Sequence, residues 1–171
     1  AGPAPTGEPA ADGRPVVPDR RRLLSATVLV LTLMFVLLNL STGGIQSFSV
    51  SALVMDYGVD LAAANTALTV FLFMSAAGVL AGGSLADRTR RHGFVASGAF
   101  LATAIIAAYL AVGRPSPLAI TVLLGLAGFL SGIITPSRDM LVRAAAPKGA
   151  EGIVFGIVST GFNIGGLIGP L

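Results

Sequence analysis

The chain has 171 residues, of which 54% are hydrophobic and only 11% charged, where a soluble domain carries about a quarter. Its mean hydropathy is +0.85, and its formal net charge of +3 comes from basic residues that sit at the ends of apolar runs rather than on one soluble face, so nucleic acid is not an expected partner. There is no cysteine, which excludes disulfides, thiolate metal sites and cysteine nucleophiles.

Residues 1–21 hold five prolines with scattered Gly, Ala and charge. Such a segment buries too little apolar surface to fold, so a disordered cytoplasmic tail is expected. Arg20, Arg21 and Arg22 straddle its end, immediately before an apolar run. They read as a positive-inside flank. A twin-arginine export signal is the competing reading, but no A-x-A cleavage site follows and the apolar run continues too far.

The apolar runs predict an all-α multi-pass membrane protein with about five transmembrane helices. They are expected at about 23–55, 61–85, 93–112, 118–145 and 152–171, which makes 22–171 one partial transmembrane domain. The first, interrupted by Gly43-Gly44, exceeds the roughly 20 residues a span needs, so a tilt, a bend near the glycines or an end outside the bilayer is expected. Turns follow from Asp56 to Asp60, at the Gly113-Arg114-Pro115-Ser116-Pro117 stretch, and at Pro147-Lys148-Gly149. Nine Lys and Arg residues lie in the tail, the 86–92 stretch and the 143–148 turn, against Arg114 alone on the opposite side. That asymmetry puts the N-terminus in the cytoplasm and the protein in the cytoplasmic (inner) membrane.

Gly83-Ser84-Leu85-Ala86-Asp87-Arg88-Thr89-Arg90-Arg91-His92 lies between the second and third apolar runs. Its charges cannot lie in hydrocarbon, so the chain leaves the membrane there. The stretch resembles the loop between the second and third helices of major facilitator superfamily transporters, whose pattern is roughly G-x-L-A-D-R-x-G-R-R. Gly83, Leu85, Ala86, Asp87, Arg88 and Arg91 match, while Arg90 replaces the usual Gly and His92 a basic residue. Gly165-Gly166-Leu167-Ile168-Gly169-Pro170 is similar to the fifth-helix glycine-proline motif common in proton-driven antiporters of that superfamily. The Leu124-Gly125-Leu126-Ala127-Gly128 region departs from the drug antiporters, which carry an Arg followed by Gln-Gly early in the fourth helix.

The resemblance implies twelve helices in two halves, each half made of two inverted three-helix repeats, with helices one and four lining the substrate cavity. On it, this chain is a fragment whose missing C-terminal half is a partner, together with the bilayer and a small-molecule substrate. It also implies that Asp87, with Gly83, Arg88 and Arg91, forms a cytoplasmic gate by facing a helix N-terminus of the other half, where the dipole favours a carboxylate.

Asn39, Thr42, Gln46 and Ser49 share one face of the first helix near its middle. They suit either a substrate cavity or interhelical hydrogen bonds. Arg138 and Asp139 are an acid–base pair within the fourth apolar run. Arg138 is a candidate to hold an anionic substrate group through its planar fork, and Asp139 to carry a coupling proton. A structural network is the other reading, in which Asp139 pairs with Arg143 at i+4 or with Arg88 and Arg91. Glycines at every fourth position, Gly78 and Gly82, Gly128 and Gly132, Gly152 and Gly156, and Gly161, Gly165 and Gly169, mark faces where helices approach closely. The composition shows no nucleotide loop, metal cluster or nucleophile–base pair, so neither a cofactor nor an enzyme is expected. Proton-coupled transport by alternating access is the function expected. The alternative is a small non-transporting membrane protein that oligomerises or binds a membrane partner through its glycine faces.

Overall fold

The computed structural model describes residues 25–89, 91–147 and 149–168. The tail, the Arg20 to Arg22 flank, Arg90, Lys148, Gly169 and Pro170 lie outside them. Five helices follow one another: α1 (Ala26–Met55), α2 (Leu61–Arg88), α3 (His92–Val112), α4 (Pro117–Ala145) and α5 (Glu151–Ile168). All five are long and apolar enough to cross a membrane. Their outward faces carry Leu33, Leu37, Phe73, Leu80, Phe94, Leu101, Leu118 and Val122 exposed, a surface for lipid rather than water.

The helix starts are set by local chemistry. Ser25 and Ser116 accept from the backbone N–H three residues on, and Asp60 accepts from Ala62 N at 2.9 Å. Each satisfies a donor the helix itself leaves open. Pro117 occupies the first position of α4, where its missing N–H costs nothing. Glu151 puts a negative charge in the first turn of α5, where the dipole favours it. Gly58 makes the α1–α2 turn with φ +62°, a conformation that favours glycine. In that turn, the Tyr57 hydroxyl donates to the Leu110 carbonyl at the end of α3, with the Gly113 carbonyl 3.3 Å away.

Two expectations are corrected. The second helix does not stop at Leu85 but runs three residues further, and Thr89 N–H still donates to Leu85 O at 3.0 Å. Charge tells where the chain meets water, and a helix in water keeps its hydrogen bonds. Nor is the first helix interrupted at Gly43 and Gly44, since α1 is continuous over 30 residues. A broken ladder in hydrocarbon leaves backbone groups without partners, which outweighs the weak helix propensity of two glycines. At 1.5 Å per residue α1 is about 45 Å long against a hydrocarbon core of about 30 Å, so it tilts or overhangs.

Packing is pairwise: α2 runs against α4, α1 against α5, and α3 against the free side of α4. At one end of the bundle Leu53, Phe71, Ile106, Ile120 and Leu124 form a core joining α1, α2, α3 and α4. At the other, Val28, Leu31 and Phe35 of α1 meet Val142 of α4 and Val154 and Val158 of α5.

Candidate functional site

The two main seams are built differently. Between α2 and α4 the glycines face one another. A Cβ on Gly82 would lie 2.8 Å from Ile133 Cα, and one on Gly132 would lie 2.8 Å from Val79 N and 2.9 Å from Gly78 C. Gly78 and Gly128 are equally tight, against the Phe129 and Phe71 backbones. Between α5 and α1 only α5 supplies glycine. A Cβ on Gly161 would lie 2.9 Å from Thr32 O, and one on Gly165 3.2 Å from Val36 C. In lipid there is no hydrophobic force between helices, so such close approach is what holds them. Gly152 and Gly156 have open space around them and belong to neither seam.

These seams bring Arg138 of α4 up to α1 and α5. Its guanidinium carbon lies 4.1 Å from the Phe35 ring centroid and 5.8 Å from that of Phe162. Its Nε donates to Asp139 Oδ1 at 3.0 Å, and the two side chains are 11% and 37% exposed. Arg138 stands seven residues from Ser131 at the middle of α4, about 10 Å along the axis. The charge so deep in an apolar helix is therefore compensated by an adjacent carboxylate and the negative faces of aromatic rings. Neither Phe35 nor Phe162 was singled out above, because a phenylalanine in an apolar helix has no contrast with its neighbours. The expected partners of Asp139 are corrected. Among the described residues it pairs with neither Arg143, Arg88 nor Arg91, and its carboxylate closes on Arg138 instead.

The polar stripe of α1 is divided among three tasks. Asn39 Nδ2 donates across the seam to the Phe162 carbonyl of α5. Thr42 turns its hydroxyl back to Leu38 O at 2.7 Å and lines a cavity of about 450 Å³ between α1 and α3. Gln46 is exposed. Ser49 lines a larger cavity of about 790 Å³ where α1, α3 and α4 meet the Tyr57 turn. Asn39, Gln46 and Arg138 line neither cavity.

The described charged residues of the motif at the end of α2 are exposed, while its Ala86 is buried. Asp87 and Arg88 occupy its last turn, Arg91 precedes α3, and Gly83 has open space beside it. Arg88 complements the negative end of the helix dipole. Asp87 opposes it, so the dipole of its own helix does not account for it. Among the described residues Asp87 forms no ion pair.

No curated protein and no solved structure matches the chain. One family model does, the Major Facilitator Superfamily, and it matches residues 19–171. Five apolar spanning helices, the Gly83 to Arg91 motif and a family match over nearly the whole sequence lead to one conclusion: the chain belongs to the Major Facilitator Superfamily, a family of multi-pass membrane transporters.

Proposed function

We propose that the chain belongs to a proton-coupled secondary transporter that moves a small solute across the cytoplasmic membrane by alternating access. The carrying observation is the Arg138–Asp139 pair held against Phe35 and Phe162. Charge at that depth is costly and is retained for a role. Asp139, partly exposed beside a fixed cation, is assigned the coupling proton. Thr42 of α1, which lines the cavity against α3, is assigned to the solute path, and Asn39 to the seam with α5. Asp87, exposed and opposed to its own helix dipole, is assigned to the cytoplasmic gate with Arg88 and Arg91, its partner a helix N-terminus in a second half. The tail and the Asp87 motif face the cytoplasm, by the distribution of Lys and Arg. A non-transporting adaptor working through glycine faces is less well supported, since Gly78, Gly82, Gly128, Gly132, Gly161 and Gly165 are taken up by seams within the chain.

The test is flux in proteoliposomes containing the full-length gene product. Asp139→Asn is expected to abolish uphill movement driven by a proton gradient while leaving exchange intact. Uphill movement that survives the substitution removes Asp139 from coupling. For orientation, cysteines introduced singly by Gly13→Cys and Arg114→Cys are expected to label from opposite sides of the membrane, and labelling from one side sinks the proposed topology.

A further inference from the structure

We propose that Arg138 anchors a small organic monocarboxylate, its flat apolar body lying against the ring of Phe162; this rests on the transporter reading and names its substrate class. A guanidinium has five N–H donors. Asp139 takes the one on Nε, and the ring of Phe35 lies 4.1 Å from the guanidinium carbon. Among the described residues no acceptor lies on Nη1 or Nη2. Among the described residues the outer fork is thus unfilled, on a side chain that keeps 11% of its surface exposed. A planar oxyanion satisfies two such parallel donors at once, which no neutral ligand does as well.

The rest of the ligand follows from the neighbours. Phe35 is 2% exposed and already covered, while Phe162 leaves 37% of its surface open within 5.8 Å of the guanidinium. An aromatic or otherwise flat apolar group fits beside it. The Asp139 carboxylate at the edge of the fork sets the charge. Asp139 already offsets the charge of Arg138, so a first carboxylate is held by the paired Nη donors rather than by net attraction, and a second negative group adds repulsion with nothing to offset it. The site thus selects monoanions over dianions of the same size.

The experiment uses the full-length gene product in detergent, with benzoate as probe, benzamide as its neutral analogue and phthalate as a dianion, and reads affinity by calorimetry. Benzoate is expected to bind saturably, benzamide and phthalate at least about tenfold more weakly. Arg138→Lys keeps the charge, loses the fork, and is expected to weaken benzoate by about tenfold. Asp139→Asn is expected to narrow the gap between benzoate and phthalate, an effect that a purely structural clasp would not produce. Equal binding of benzoate and benzamide, or no benzoate binding, overturns the proposal. So does a charge preference unmoved by Asp139→Asn, the readout that decides if Arg138→Lys fails to fold. Flux of some solute without benzoate binding would sink the anion site and leave transport standing. Benzoate binding without flux of any solute would do the reverse.

Discussion

The α2–α4 and α1–α5 seams solve one problem in two ways. Where α2 meets α4, both helices supply glycine, and backbone rests on backbone over about one turn, from Gly78 and Gly128 to Gly82 and Gly132. Where α1 meets α5, the glycines of α5 face Thr32 and Val36, and an amide crosses from Asn39 to the Phe162 carbonyl. The first contact is mainly backbone on backbone, with side chains only from Pro136 beside Gly82 and from Val70 and Met74 beside Gly125. The second combines shape with a polar contact and with side chains that can repack, and the Arg138 cluster borders it. Contacts of the first kind fix helices to one another, and those of the second tolerate adjustment. The charges of the candidate site lie beside the adjustable seam.

The contrast is broken most severely by crowding the backbone-on-backbone seam. Gly132→Ala places a methyl group against the backbones of Val79 and Gly78, and is expected to lower stability by about 3 kcal/mol, at the upper end of overpacking costs. A thermal melt of the full-length product in detergent measures it, and an unchanged melt would show that the helices do not meet there. Gly161→Ala also meets Thr32, but through Cγ2 at 2.7 Å as well as the carbonyl at 2.9 Å. A smaller loss of about 1–2 kcal/mol is expected, partly recovered in the double variant with Thr32→Ala. Equal losses at Gly132 and Gly161 would erase the distinction between the seams. Smaller again is Asn39→Leu, which removes one interhelical hydrogen bond worth about 0.6 kcal/mol and at most about 1.7. Gly156→Ala, in open space, completes the series with no loss, and a loss there would mean an unseen neighbour.

Much of the scaffold is legible in the sequence because it is written in long-range contrast. Apolar runs against charged breaks give five helices, and Gly83 to Arg91 gives the family. The boundaries are less legible. Asp87 and Arg88 mark water, but α2 takes in both of them and ends only where its hydrogen-bond ladder ends. Pairings are less legible still. The glycine spacing shows that faces exist but not that Gly132 meets Gly78 while Gly165 meets Val36. Asp139 illustrates the limit for the site. Helical spacing favours Arg143, yet the side chain turns to its immediate neighbour because Phe35 and Phe162 hold that guanidinium in place. Only tertiary structure supplies those rings.

The glycine spacing of α5 also has a dimension. Gly161 and Gly165 are four residues apart, an advance of about 6 Å along the axis. Displacing α5 by that length along α1 would set one glycine where the other had been, still beneath the backbone of Val36. The carbonyl one turn away would come within range of Asn39, and because a carbonyl has two lone pairs, no bond of the helix ladder need be surrendered to it. Gly161 and Gly165 thus offer α1 the same smooth surface at successive turns of α5.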